Sequence, residues 1–225
     1  MSRCDLLLYL RKILCDYRNC KFVHVTGNSI DVILLSNYIN FVVYNDIEKI
    51  IFSFFRVIRS KYEMFLNLLQ SGKGDIIDSD LDVVQAVNWY TDLVRMVLEC
   101  DREAFDRLGG VNVYVPDAVK EYLLRADYLL QVYLRLCTVQ FDCVDYSDCI
   151  YIYDSPSTFF YAEFGDGKRD IILQFIREIA NVNGYYFIVI DSCFCDALSD
   201  IDFVSFKVKD EFCIISNLKK TVSFS

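Results

Sequence analysis

The chain has 225 residues, 54% of them hydrophobic and 16% aromatic, with 8 Gly and 2 Pro. That composition argues against a disordered, collagen-like or low-complexity protein, and the length admits one large domain or two small ones. A formal net charge of −9 has the wrong sign for neutralising phosphates, which argues against nucleic acid and anionic membranes as partners.

The ten cysteines are scattered without a Cys-x-x-Cys pair, a spacing that suits neither a disulfide framework nor a zinc ribbon. Most stand in apolar runs, such as those around Cys137 and Cys213, where a reduced thiol behaves as a small buried hydrophobe. The expected setting is a reducing, intracellular one with a cytoplasmic location. The apolar run Leu6 to Leu10 is cut off by Arg11 and Lys12 and is too short for a signal-peptide core. The uncharged stretch Val32 to Asn45 carries Ser36-Asn37 in its middle and is too short for a membrane span.

In chain order, Leu6, Leu7, Leu10, Ile13 and Leu14 recur at helical spacing and predict an amphipathic helix over 4–16. Ile30 to Leu35 and Tyr38 to Val43 are β-branched-rich runs about Ser36-Asn37, the pattern of a hairpin. Asp46 offers an N-cap for a helix over 47–55, and 56–69 keeps an apolar face through Val57, Phe65, Leu68 and Leu69. After Gly72 and Gly74, the acidic stretch Asp78-Ser-Asp-Leu-Asp82 leads into a helix carrying Val83, Val84, Val87 and Tyr90. Residues 99–110 are charged and end in Gly109-Gly110, as an exposed excursion would. Pro116 opens a long helix traced by Val119, Tyr122, Leu123, Ala126, Leu129, Leu130, Tyr133 and Cys137. The composition shifts near 142–146, turn residues follow at Ser155-Pro156 and Gly165-Asp166-Gly167, and Ile171 to Ile179 predicts a further helix.

No catalytic constellation stands out. His24 is the single histidine, and a Cys20–His24 dyad lacks the local signature of a cysteine protease. Asp78 to Asp82 imitates a calcium loop but has Val83 and Trp89 where the glycine and glutamate belong. Ser71-Gly72-Lys73-Gly74 is too short to cradle a phosphate. Cys193 and Cys195 have no partner pair at metal-ligand spacing. The expectation is a non-enzyme with no metal and no cofactor; an enzyme using Cys193, Cys195 or His24 is the reading set against it.

Four blocks of sequence resemble the BTB/POZ family. Asp31 to Phe41 is similar to its opening hairpin, Phe54-Phe55 to its aromatic pair, and Val84 to Asp92 to its Tyr-Thr helix, with Tyr90-Thr91 kept. Val119 to Gln131 followed by Cys137 is similar to its Ala-Asp-x-Leu-Gln…Cys helix. Tyr44 and Asn45 stand where the family has His-Lys. The last third resembles, less specifically, the BACK region of kelch-like proteins, through Asp148-Cys149-Ile150, the helix near 171–180 and Asp210 to Ile215, with a composition similar to the poxviral members.

The resemblance implies an α+β fold, with a BTB/POZ domain over 1–143, a helical cluster flanked by a short β-sheet, and a truncated, mainly helical BACK-like region over 144–225. It also implies a dimer with itself or another BTB protein through Leu6, Leu7, Leu10, Ile13 and Leu14. A role as adaptor or decoy for a cullin-3 ubiquitin ligase follows, with Leu68, Leu69 and Gln70 as the cullin-binding candidates. Gln70 replaces the family's glutamate and so weakens that contact. The alternatives are a scaffold or transcription-associated dimer that recruits partners without a ligase, and a stripe on the helix over 4–16 that packs within its own chain.

Overall fold

The computed structural model describes residues 3–26, 39–45, 50–71, 80–99, 103, 126–164, 169–194, 205–208 and 212–218. In chain order these form α1 (Arg3–Asp16), β1 (Lys21–Thr26), β2 (Val42–Asn45), α2 (Ile50–Ser60), α3 (Tyr62–Ser71), α4 (Leu81–Glu99) and α5 (Ala126–Leu136). There follow β3 (Val139–Asp142), α6 (Tyr146–Tyr153), β4 (Thr158–Phe164), α7 (Arg169–Ile179), β5 (Tyr185–Asp191), β6 (Ser205–Val208) and β7 (Phe212–Ser216). The chain divides into two compact units, the first made of Met1–Gly27, Leu35–Ile47 and Gln140–Ser225, the second of Asn28–Leu34 and Glu48–Val139.

The first unit is organised by a seven-stranded sheet in the order β3-β2-β1-β4-β5-β7-β6. β1 is parallel to both β2 and β4, and β4 to β5, while β7 runs antiparallel to β5 and β6. The chain therefore works outward from β1 to β3, then returns to the other side of β1 to lay down β4 and β5. The carboxyl ends of β1, β2, β4 and β5 share one edge.

Helices cover both faces of this sheet, which explains the composition of the strands. Thr158 to Ala162 and Tyr186 to Ile190 are buried without interruption, whereas a strand with one face in water would alternate. Successive side chains still point to opposite faces. Val23, Val25, Phe160, Ala162, Ile188, Ile190, Cys213 and Ile215 pack with Cys149, Ile150 and Tyr153 of α6 and with Ile172, Phe175, Ile176 and Ile179 of α7. On the other face the rings of Tyr9 and Phe187 stand 5.9 Å apart and those of Tyr17 and Phe159 5.3 Å, which seats α1 there. Tyr44, His24, Tyr161 and Phe187 occupy matching register positions on β2, β1, β4 and β5 and stack in a row, with ring centroids 4.9, 5.5 and 6.2 Å apart.

Local chemistry sets the element ends. Asp145 caps α6 by accepting from the Ser147 amide at 2.9 Å. At the amino edge of the sheet Asp154 accepts from the amides of Asn183 and Gly184 at 2.8 and 3.2 Å and from Asn183 Nδ2 at 2.8 Å. A Cβ at Gly184 would stand 2.6 Å from the Thr158 carbonyl oxygen, so β5 can start this close to β4 only with glycine there.

In the second unit α2, α3 and α4 gather around Phe54. Its ring lies face to face with Tyr90 at 5.8 Å, edge-on to Phe65 at 5.9 Å and 4.7 Å from Trp89. Tyr62 of α3 stacks on Tyr133 of α5 at 4.8 Å. Asp80 begins α4 by accepting from the Asp82 amide at 3.0 Å, and it holds the Lys61 ammonium at 2.6 Å. Arg56 reaches Asp82 at 3.1 Å.

Several expectations change against this structure. The mixed helix and strand content holds, but the sheet is seven-stranded rather than short. Residues 144–225, expected to be mainly helical, supply α6 and α7 and also four strands, because their apolar runs are central strands buried on both faces. The boundary expected between 143 and 144 falls inside the first unit, between β3 and α6. The second arm of the predicted hairpin is β2, which lies between β3 and β1 and pairs with β1 in parallel; the first arm lies outside the described residues, as do 104–125 with the start of the predicted long helix. Cys137, expected in an apolar interior, is exposed.

Candidate functional site

In an open sheet whose strands run parallel, the place where the chain reverses its direction of winding leaves a crevice outside the carboxyl ends of the two diverging strands. Ligands bind there because neighbouring loops leave in opposite directions. In this protein that point lies between β1 and β4. The residues at the carboxyl ends are Thr26 of β1, Asn45 of β2, Glu163 and Phe164 of β4, and Asp191 of β5.

Asn45 is 2% exposed and its side chain is closely bound. Nδ2 donates to the Val25 carbonyl at 3.1 Å and to the Val144 carbonyl at 3.0 Å, while Oδ1 accepts from the Val144 amide at 3.0 Å. Val25 sits at an irregularity of β1: His24 pairs with Tyr161 but Thr26 with Ala162, so β1 holds one residue more than β4 over this step. Such bulges re-aim strand ends. Glu163 accepts from the buried Tyr161 hydroxyl, two residues back on the same face. Asp191 accepts from the Cys193 amide at 2.8 Å, which turns the chain after β5. At the end of β3, Asp142 accepts from the Tyr153 hydroxyl, and Gln140 Nε2 donates to that hydroxyl at 2.6 Å. Burial and, after it, the Asp142 carboxylate push the Tyr153 phenol far above its ordinary range.

The ends of these strands carry carboxylates and neutral groups but, among the described residues there, neither Lys nor Arg. In sequence, β1 is followed by Gly27-Asn28-Ser29-Ile30 and β2 by Asp46; these residues lie outside the described ones. The run after β1 lacks the second and third glycines with which a dinucleotide fold admits a pyrophosphate. Asp46 stands about 20 residues after Gly27, the spacing at which such folds place a ribose-binding carboxylate.

The residues singled out from sequence are spread through the molecule. Leu6, Leu10, Ile13 and Leu14, expected at a dimer interface, are buried within the single chain at 0, 0, 4 and 1% exposure. These four side chains are thus buried within the chain itself, on the helix that Tyr9 and Tyr17 seat on the sheet; the side chain of Leu7 lies outside the described residues. On α3, Leu68 and Leu69 are half-buried and Gln70 is exposed. His24 is fully buried within the aromatic row. Cys20 is half-buried and burial raises its thiol pKa, the opposite of what a thiolate nucleophile needs. Cys193 is exposed, while Cys195 lies outside the described residues, as do Asp78 and Gly72 to Gly74.

Among the described residues no group of His, Cys, Asp and Glu is placed to hold a metal ion, and no helix is long and apolar enough to cross a membrane. Sequence reasoning missed Asn45 as an anchor and missed Glu163 and Asp191. The available signal was the pair of apolar runs that end in Val25-Thr26-Gly27 and Tyr44-Asn45-Asp46, each a strand followed by turn residues. No family model matches the chain, and no curated protein matches its sequence.

Proposed function

We propose that the first unit binds a nucleoside cofactor at the carboxyl edge between β1 and β4, with S-adenosylmethionine as the specific candidate and methyl transfer as the chemistry. The observation that carries this reading is the sheet itself, doubly wound about β1 and closed by a reversed β7 between β5 and β6. That order is the one class I methyltransferases use, a likeness at the level of fold. The chemistry of the edge supports the same choice. At the described strand ends a pyrophosphate would meet Glu163 and Asp191 and no Lys or Arg, the described cation that follows β4 being Arg169 at the start of α7, and that like-charge arrangement disfavours it. A sulfonium cofactor instead brings a positive charge to a carboxylate-lined edge. Bound there, the cofactor would supply a methyl group to an acceptor lone pair and depart as its neutral thioether, while Glu163 or water would take up the acceptor's proton.

Calorimetric titration of the full chain with S-adenosylmethionine, S-adenosylhomocysteine, NAD and ATP tests the assignment. Micromolar binding of the two sulfur nucleosides, with NAD and ATP at least tenfold weaker, is the expected result. Preference for NAD or ATP, or no binding of any of the four, would overturn it.

A second reading is favoured by the exposure of Gln70 beside half-buried Leu68 and Leu69 on α3. It is the adaptor or decoy for a cullin-3 ligase that the BTB-like sequence blocks imply. Titration with the cullin-3 N-terminal domain checks it: binding that tightens in Gln70→Glu supports it, and no binding by either form removes it.

A further inference from the structure

We infer that Asn45 is the positioning residue of the nucleoside site, an amide latch that joins the ends of β1 and β2 to the segment after β3. This inference rests on the function proposed above and adds to it the residue that shapes the crevice.

A buried primary amide is costly unless its donors and acceptor are used. At Asn45 both Nδ2 hydrogens and the Oδ1 acceptor are engaged by backbone groups. The partners are informative. Val25 is the extra residue of β1, next to the switch point, and Asn45 takes up its carbonyl from the neighbouring strand. Val144 follows β3, the strand on the other side of β2, and Asn45 pairs with both its amide and its carbonyl, as a peptide group would. One side chain therefore fixes three adjacent chain ends on the edge where the ligand is proposed to sit. The irregularity that re-aims the end of β1 is held by it.

Asparagine suits this position through donor count. Leucine of similar size would leave the Val25 carbonyl and both Val144 groups without this partner, at the cost of buried unsatisfied groups. Aspartate has the same shape and could still accept from the Val144 amide, but its ionised form would face the Val25 and Val144 carbonyl oxygens with no hydrogen to offer. Facing acceptors in a buried site, that carboxyl is pushed toward its protonated form.

The substitution Asn45→Asp consequently gives a readout that simple loss of packing does not. Titrating the full chain with S-adenosylmethionine at pH 7.5 and pH 5.5, we expect wild-type affinity to change less than threefold between the two. In Asn45→Asp affinity should fall at least tenfold at pH 7.5 and recover at least threefold at pH 5.5, where a protonated carboxyl can donate again. Asn45→Leu should lose affinity at both pH values.

Wild-type binding with unaltered affinity in both variants would overturn the latch and leave the nucleoside site standing. A wild-type chain that binds none of the nucleosides would overturn both. Should the variants fail to fold, hydrogen exchange of the Val144 amide in the wild-type chain carries the test. S-adenosylmethionine should slow that exchange at least tenfold by selecting the latched state, and an unchanged rate would overturn the inference.

Discussion

Cys149 and Asn45 show two ways a polar or ionisable side chain survives in this interior. Asn45 does so by bonding the Val25 carbonyl and both backbone groups of Val144, and Cys149 by staying neutral. Burial beneath the sheet, and after it the Asp142 carboxylate, push the Cys149 thiol up to about 12. Cys15, Cys137 and Cys193 are exposed. Alkylation at pH 8 followed by peptide mass analysis should label those three at least tenfold faster than Cys149, and equal rates would contradict the packing of α6 on the sheet. The sign of the linkage follows from the raised value. Below about pH 8.5, the ordinary thiol range, both the folded and the unfolded thiol are protonated and pH has no effect through this group. Above it the unfolded thiol ionises while the folded one does not, so stability falls as pH rises. Cys149→Ala should flatten that alkaline decline in urea unfolding. From sequence, the apolar neighbours of Cys213 foretell its burial, whereas Cys137 stands in a similar run yet is exposed just past α5. A run of apolar residues tells which elements are buried, not which side of a helix end meets water.

At the scale of elements, α1 shows what periodicity can and cannot say. Leu6, Leu10, Ile13 and Leu14 announce one apolar face, and a helix over 3–16 is found. The pattern demands a covering surface without naming it; within the single chain α1 lies on the aromatic face of the sheet through Tyr9 and Tyr17. Leu10→Ala should therefore cost about 2–5 kcal/mol of stability in chemical unfolding, with the molar mass in light scattering unchanged. A halved mass at unchanged stability would return α1 to a dimer interface. The predicted helices near 171–179 and through Val83 to Tyr90 are likewise found as α7 and α4. The strands were harder to read. Tyr185-Tyr-Phe-Ile-Val-Ile190 and Thr158-Phe-Phe-Tyr-Ala162 have no alternation because helices cover both faces, and period-2 patterning is the signal that a half-exposed strand would give. The same absence hid the candidate site, whose position depends on the order of the strands and on residues at their ends, not on any motif along the chain.

For the whole molecule, the discontinuity of the two units is the feature with the widest consequence. The second unit departs from the first after β2 and returns to it at β3, so a sheet domain is interrupted by a helical one. A linear reading splits such a chain at a composition shift, as the boundary near 143 did, because sequence order conceals that β3 rejoins strands laid down about a hundred residues earlier. Each unit has its own buried cluster, Phe175 and Ile176 with the sheet in one and Phe54, Phe65 and Tyr90 in the other. Units with separate cores open as separate cooperative blocks. Phe54→Ala should accordingly speed hydrogen exchange throughout α2, α3 and α4 by at least tenfold while β4 and β5 change less than threefold. Phe175→Ala should do the reverse. The large-to-small change costs about 3–5 kcal/mol in a packed core, enough to separate the two responses by peptide-resolved mass spectrometry. If either substitution accelerated exchange equally in both sets of peptides, the chain would unfold as one block, and the helical unit would draw its stability from the sheet rather than from its own aromatic cluster.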